Sequence, residues 1–164
     1  MARPPMEFHS AMRRAGTINY LAIERFDRQI VDGRVILHHQ EDLAQALGLD
    51  WRNGDAKFQD HRQPSRKGRP SARLIGELLG SIPGGGRAAE DWLRQLAYHV
   101  VIGNNDAHAK NVALLHLANG TQLTEIYDAV PNLFQEGRID WNLALSVGGI
   151  FDHRAGSAEP ERRH

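Results

Sequence analysis

Cysteine is absent from the 164-residue sequence, so neither a disulfide bond nor a thiolate metal site can form. Net charge is absent too, because 20 basic residues balance 20 acidic ones, and no overall attraction to nucleic acid or membrane results. No apolar run approaches the roughly 20 residues of a membrane span, and none follows the N-terminus as in a signal peptide. We therefore expect a cytoplasmic protein with no direct nucleic-acid or membrane partner.

Phosphate-binding glycine motifs are also missing. The three glycines at 84–86 are not followed by Lys-Ser or Lys-Thr, and no Gly-x-Gly-x-x-Gly occurs, so we interpret them as a linker between helices. The polar segment 49–70 contains a basic run that could touch phosphate, although a solvated face explains it more simply. Hydrophobic content of 41% and charged content of 24% are typical of one globular domain.

Hydrophobic periodicity predicts the regular elements. Helices are expected over 6–15, 41–47, 71–79 and 87–102, and strands over 20–23, 34–37, 112–115, 123–127 and 143–147. Asp-Gly at 32–33 and Asn-Gly at 119–120 are typical hairpin turns. The last predicted helix has a stripe of large side chains that we assign to the core: Trp92, Leu93, Leu96, Val100 and Val101. His99 lies beside this stripe and is interpreted as a structural residue.

The most informative stretch is the polar loop 103–111, between that helix and the strand after it. Loops held by rigid elements often carry catalytic groups. Asp106 is followed five residues later by Asn111. This is the spacing of a kinase catalytic loop, in which the Asp accepts the substrate hydroxyl proton and the Asn binds magnesium. Asp106 is therefore the candidate base, and Lys110 between them is a candidate cation for the transferring phosphoryl group.

A second acidic residue lies beyond the predicted hairpin. Folding of strand 123–127 back onto strand 112–115 would bring Asp128 toward Asn111. One amide oxygen and one carboxylate suit magnesium, which prefers oxygen ligands. The sequence therefore predicts a magnesium site made by Asn111 and Asp128.

These motifs resemble those of the HipA-type serine/threonine kinases, the toxins of bacterial toxin–antitoxin pairs. The similar stretches occur in the same order over most of the chain: IERFDR at 23–28, HQEDLAQALG at 39–48, NDAHAKN at 105–111, IYD at 126–128 and LALSVGG at 143–149. The resemblance implies an α+β, protein-kinase-like fold, mostly the hinge and helical large lobe with short β-hairpins. It places a partial kinase domain at 1–150, and the polar composition of residues 151–164 predicts a disordered tail.

The resemblance also implies a nucleotide site for ATP. Its hinge would be Glu24, Arg25, Phe26 and Asp27, and its other cofactor contacts would be His108, Lys110, Asn111, Tyr127 and Asp128. The alternative for the hinge is a plain strand-to-turn junction with Phe26 in the core. The resemblance places Glu7 near the ion-pairing position of the small-lobe helix. The alternative is an exposed glutamate on a helix. The residues after Asp128 are Ala-Val rather than the Phe-Gly of most protein kinases, as in the HipA-type pattern.

The implied partners are a HipB-like helix-turn-helix antitoxin, a protein-serine substrate such as an aminoacyl-tRNA synthetase, and a separately encoded N-terminal lobe. The last is suggested because no phosphate-covering loop is visible and none of the three lysines lies in a strand before the hinge. We therefore expect a split, decayed or fragmentary kinase with little or no activity alone.

Two other classes of function remain open at this point. A metal-dependent hydrolase could use Asp106, His108 and Asp128, with His116 as a further ligand, since Asp-x-His pairs bind metals. A non-catalytic remnant could still bind an antitoxin.

Overall fold

The computed structural model describes residues 10–83, 86–132 and 141–152. The chain divides into two compact units, Met1–His39 and Gln40–His164. In the described residues, no helix is long and apolar enough to cross a membrane. Residues 153–164 of the predicted tail lie outside the described residues, so the domain boundary at 150 stays a prediction.

Two antiparallel hairpins make up the described part of the first unit. Strands β1 (Ser10–Ala15) and β2 (Ile18–Ile23) form the first, and β3 (Arg28–Val31) and β4 (Arg34–Leu37) form the second. The predicted strands and the Asp-Gly turn are confirmed. None of the residues 11–39 is buried, because a two-stranded ribbon has too few strands to enclose a core.

The helix predicted over 6–15 is wrong. Residues 10–15 are strand β1, and each pairs with a residue of β2. Gly16 was interpreted as a helix C-cap, but its φ of 61° serves the hairpin turn instead. Both structures require positive φ, so the glycine alone could not distinguish them. Glu7 lies outside the described residues.

The second unit contains the core. It begins within β5, and its described residues continue with three α-helices, one 3₁₀ helix over Gly54–Lys57 and four more strands. These elements are β5 (His39–Asp42), α1 (Leu43–Ala46), α2 (Ala72–Ser81), α3 (Gly86–Ile102), β6 (Ala113–Leu117), β7 (Gly120–Leu123), β8 (Asn142–Val147) and β9 (Ile150–Asp152). Strand β6 lies between β5 and β7 in a three-stranded sheet, and β8 pairs with β9.

Side-chain caps define where α1 and α2 begin. Asp42 accepts a hydrogen bond from the backbone of Gln45, whose side chain accepts one from the Asp42 backbone, so α1 starts at Leu43. The predicted helix 41–47 is therefore shorter, and its first two residues belong to β5. Ser71 caps α2 as predicted, by accepting from the Leu74 N–H at 3.1 Å.

The buried face of α3 differs from the predicted stripe. Trp92 and Leu96 are buried as expected, but Leu93 is 65% exposed and Val101 is 71% exposed. The buried positions follow the spacing of three and four residues along one helix face, and they include Gln95 and His99 instead. The prediction that Leu93 and Val101 belong to the core is therefore wrong, because apolar character alone does not identify the buried face of α3.

The β6–β7 hairpin is confirmed, with Leu114 paired to Leu123. The return strand nevertheless ends at Leu123, so the prediction of a strand over 123–127 is wrong. Thr124 still continues the contact, because its N–H donates to the Ala113 carbonyl at 2.9 Å and its hydroxyl accepts from the Ala113 N–H at 3.3 Å. Residues 125–127 leave the sheet and lead to Asp128.

The polar segment 49–70 is anchored to the core by Gln59. This side chain is 5% exposed, and its carboxamide accepts from the Ser146 N–H at 2.8 Å and donates to the Pro64 carbonyl at 3.2 Å. The Gln59 N–H donates to the Ala144 carbonyl at 3.2 Å. The segment is therefore fixed to strand β8 at its midpoint.

Replacing Gln59 with alanine should lower the free energy of unfolding by about 2 kcal/mol, because the buried Ser146 N–H loses its acceptor. Urea denaturation followed by circular dichroism measures the change. Gln63→Ala, at an exposed position of the same segment, is the matched control and should stay within about 0.5 kcal/mol of wild type. Equal stability of the two variants would contradict the anchoring role of Gln59.

Candidate functional site

The loop between α3 and β6 is held by backbone hydrogen bonds to two other segments. The Ala109 N–H donates to the Lys57 carbonyl at 3.1 Å, and the Ala109 carbonyl accepts from the Ala44 N–H at 3.2 Å. The Leu43 N–H donates to the Val112 carbonyl at 2.9 Å. The loop is therefore fixed against α1 on one side and against the 3₁₀ helix on the other.

Asp106 and Asn111 are joined within this loop. The Asn111 Nδ2 donates to the Asp106 carbonyl at 3.0 Å, and the Asn111 N–H donates to the His108 carbonyl at 2.9 Å. This use of Nδ2 leaves Oδ1 as the amide oxygen that can face a cation. The Asp106 carboxylate is about half exposed, so it can reach a molecule in solution.

A buried pair behind the loop orients Asp106. The His99 carbonyl accepts from the Asn104 N–H at 2.8 Å, and the His99 Nδ1 accepts from the Asn104 Nδ2 at 3.0 Å. The Asn104 Oδ1 in turn accepts from the Asp106 N–H at 3.1 Å. His99 is structural, as predicted, and burial lowers the pKa of its ring to about 4. It is therefore neutral, as the Nδ1 acceptor role requires.

The side chain of His108 is buried in the protein rather than exposed at the surface of the loop. It is 4% exposed, and the edge of its ring meets Phe58 with the centroids 5.0 Å apart. Its Nε2 lies 3.5 Å from an Asp106 carboxylate oxygen. Burial, and next the charge of Lys57, lower the pKa of the His108 ring. The buried ring therefore contacts both Phe58 and the Asp106 carboxylate.

An open cleft of about 540 Å³ brings most of the predicted site together. Its lining contains Asp106, His108, Lys110, Asn111 and Asp128. The remaining lining residues come from β5, α1 and the segment after α1: Asp42, Ala44, Gln45, Leu49, Asp50, Trp51, Asn53, Gly54, Ala56 and Lys57. No local pattern links these residues to the loop 103–111, so the sequence did not predict them as part of the site. Trp51 and Lys57 are the aromatic residue and the cation among them.

Tyr127 supports the cleft without being among its lining residues. Its hydroxyl donates to the Lys110 carbonyl at 3.1 Å. Burial, and next the charges of Asp42 and Asp128, raise its pKa to about 12, so the hydroxyl stays protonated and can donate. Its predicted contact with a cofactor stays a prediction.

Asp128 adopts a left-handed backbone conformation with φ of 53°. Asp and Asn enter this region more readily than other non-glycine residues. The exposed carboxylate lies in the cleft together with Asn111. One amide and one carboxylate give the hard-oxygen donors that magnesium prefers, so the residues present fit that ion.

The predicted hinge, residues 24–27, belongs to the first unit. Arg25 and Arg28 form ion pairs with Asp27 at 2.6 Å and 3.1 Å and hold the pKa of that carboxyl well below its usual range. Phe26 is half-buried and Glu24 is exposed. The role of Glu24, Arg25, Phe26 and Asp27 in nucleotide binding stays a prediction.

The hydrolase alternative gains no support. His116 lies on strand β6, where its Nε2 is 3.1 Å from Glu41 and its Nδ1 is 3.1 Å from the Thr121 hydroxyl. It is not among the lining residues of the cleft. Among the residues that the structure describes, no group of three or more His, Cys, Asp or Glu side chains could hold a metal ion.

Comparison with known proteins decides the family. Residues 4–162 match the family described as HipA-like C-terminal domain. The chain belongs to this family. The resemblance found in the sequence is therefore confirmed, and it covers nearly the whole chain.

Curated relatives include two bacterial proteins. A putative kinase, Y4mE, of Sinorhizobium fredii is 34% identical over 128 residues, which is 76% of this chain and 27% of that protein. The serine/threonine-protein kinase toxin HipA of Shewanella oneidensis is 29% identical over 143 residues, which is 84% of this chain and 32% of the toxin. The chain thus spans about a third or less of the length of these relatives.

A solved structure confirms the fold. The complex of Shewanella oneidensis HipA, HipB and operator DNA contains a chain that matches this one with a TM-score of 0.75 and 26% identity. The match covers 90% of this chain and 35% of that chain. The predicted α+β, protein-kinase-like class is therefore correct for this HipA-like domain.

The free energy of unfolding should fall as the pH drops from about 6.5, the ordinary pKa of histidine, toward the folded-state pKa of His99, about 4. The unfolded chain then binds a proton that the buried ring excludes, at a cost of up to roughly 3 kcal/mol. His99→Gln keeps an acceptor for Asn104 but cannot titrate. Urea denaturation at pH 7 and pH 4.5 should show a smaller loss for this variant. An equal loss in both proteins would refute this account of His99.

Proposed function

We propose that this chain is the catalytic part of a HipA-type protein serine/threonine kinase that uses ATP and magnesium, and that it has little or no activity alone. The observation that carries the proposal is the convergence of Asp106, Asn111 and Asp128 on one cleft, with Asn111 bound to the Asp106 carbonyl at 3.0 Å. A base, an amide and a second carboxylate in one cleft are the protein groups that phosphoryl transfer requires there.

Each residue has a separate task in this proposal. The Asp106 carboxylate orients the substrate hydroxyl and accepts its proton, supported by Asn104 and His108. Asn111 and Asp128 hold magnesium, which supplies positive charge next to the phosphate oxygens when it is bound. Lys110 adds a positive charge at the transferring phosphoryl group. Positioning dominates this chemistry, so the placement of the carboxylate against the substrate hydroxyl matters more than its strength as a base.

The remaining predicted contacts belong to nucleotide binding. The backbone of residues 24–27 binds the adenine and Phe26 packs on the ring, while Tyr127 fixes the loop that carries Lys110. The Tyr127 hydroxyl donates to the Lys110 carbonyl at 3.1 Å, which supports its proposed role in positioning that loop.

The proposed partner is a HipB-like helix-turn-helix antitoxin. The supporting observation is that the matched Shewanella oneidensis HipA chain comes from a complex with HipB and operator DNA. The proposed substrate is a serine of a protein, such as an aminoacyl-tRNA synthetase, and a separately encoded N-terminal lobe is the other proposed partner. The match covers about a third of that HipA chain. The antitoxin, the substrate and the N-terminal lobe are therefore proposed as partners of a larger kinase that includes this chain.

Asp128→Asn should weaken magnesium-dependent ATP binding about tenfold or more, because a neutral amide replaces a charged metal ligand. Isothermal titration with ATP, with and without magnesium, measures the loss. Asp32→Asn is a matched control, since Asp32 also has positive φ, 49°, and lies in an exposed turn. Asp106→Asn should bind nearly as wild type, since the base is not a metal ligand.

An ATP affinity that does not depend on magnesium and does not change in Asp128→Asn would overturn the assignment of the metal site. Binding of zinc without nucleotide, lost in Asp106→Asn, would instead favour the hydrolase.

A further inference from the structure

Lys57 enters the cleft from a segment that carries none of the predicted catalytic residues. It ends the 3₁₀ helix Gly54–Lys57, which begins after the cap Asn53, whose side chain accepts from the Asp55 N–H at 3.1 Å. Its carbonyl accepts from the Ala109 N–H at 3.1 Å, so its backbone is fixed to the loop that contains Asp106. Its side chain, unlike its backbone, makes no contribution to this attachment.

The Lys57 ammonium lies near the predicted catalytic loop. It is 5.1 Å from the centre of the Phe58 ring, which in turn contacts the His108 ring at 5.0 Å between centroids. Within 10–83, 86–132 and 141–152, the ammonium forms no ion pair with a carboxylate. It is half-buried and lines the cleft.

The charges of the cleft require such a cation. Its lining contains four carboxylates, those of Asp42, Asp50, Asp106 and Asp128. The Asp42 side chain is used to cap α1, and that of Asp50 accepts from the Arg52 N–H at 3.0 Å. Lys57 and Lys110 are the two ammonium groups in the lining. A polyphosphate entering a cleft with more acids than bases needs every cation there, besides any metal ion.

We propose that the Lys57 ammonium binds the phosphate chain of the nucleotide, from the wall of the cleft that the 3₁₀ helix forms. This inference rests on the proposed function and adds a phosphate-binding residue to it. A lysine suits the task because its ammonium is a compact charge with three donors on a flexible stem. The attachment of its carbonyl to Ala109 links the phosphate contact to the position of the Asp106 loop.

Two other features of the site favour phosphate over a purely structural role. The contact with Phe58 uses the ammonium without neutralising it, so the charge remains available to an anion. Lys110, the other cation, lies on the loop itself, with its carbonyl bound by Tyr127. The two lysines therefore supply positive charge from two separate elements of the cleft.

The test compares nucleotides that differ in phosphate content. Titration calorimetry of the 164-residue chain with ATP, ADP and adenosine, in magnesium, is performed on wild type, Lys57→Met, Lys57→Arg and Lys67→Met. Met keeps the length of the side chain and leaves the bond from Ala109 to the Lys57 carbonyl intact. Lys67 is exposed in the same segment and is not among the lining residues, so Lys67→Met is the matched control.

We expect Lys57→Met to weaken ATP binding about tenfold or more, the value of one charged hydrogen bond. The affinity for ADP should fall less in this variant, and the affinity for adenosine should not change. Lys57→Arg should recover most of the ATP affinity. Lys67→Met should bind as wild type, and thermal melting should show that all variants are folded.

The outcomes separate this inference from the proposed function. If Lys57→Met binds ATP as wild type while Asp128→Asn loses it, the kinase proposal stands and the role of Lys57 is overturned. Equal losses for ATP and adenosine would show that Lys57 acts by packing, which also overturns it. A wild-type chain that binds no magnesium–ATP would end both proposals.

Discussion

Two backbone hydrogen bonds of Ala109 hold the candidate site in place. Its N–H is bound by the 3₁₀ helix and its carbonyl by the start of α1, and the residue is completely buried. A polar loop that crosses a core must pair its backbone groups with other segments, because unpaired buried groups are costly. Here these pairs also fix the positions of Asp106 and Asn111, so one constraint serves both folding and the site.

The buried polar residues of α3 extend this constraint into the core. His99 and Asn104 satisfy each other and the Asp106 backbone, so their burial carries no unpaired group at these contacts. Gln95 similarly donates to the Thr124 carbonyl at 2.7 Å, next to the hairpin that leads toward Asp128. The helix is thereby bound to the backbone of Asp106 through Asn104 and to the end of the hairpin at Thr124 through Gln95. A rigid support of this kind suits chemistry that depends on positioning.

Sequence patterns predicted the elements whose signals are local. The Asp-Gly and Asn-Gly turns, the Ser71 cap and the β6–β7 hairpin depend on neighbouring residues, and all are present. The helix predicted over 6–15 failed because Gly16 fits a helix end and a hairpin turn equally well. Leu93 and Val101 were misassigned because apolar character does not say which face of α3 meets the core. That choice depends on which partner packs there, as when the Trp92 indole donates to the Ala72 carbonyl.

The amino-acid order alone indicated the catalytic-loop motif, through a spacing of five, and the family, through several motifs in the same order. One predicted hairpin was enough to bring Asp128 toward Asn111, and both line the same cleft. The amino-acid order could not determine that Lys57 and Trp51 also line the cleft. Their position at the cleft depends on the hydrogen bond from Ala109 to Lys57 and on the attachment of Gln59 to β8. Both contacts join segments that lie far apart in the chain. Contacts between distant segments leave no periodic signal, so only the folded chain reveals them.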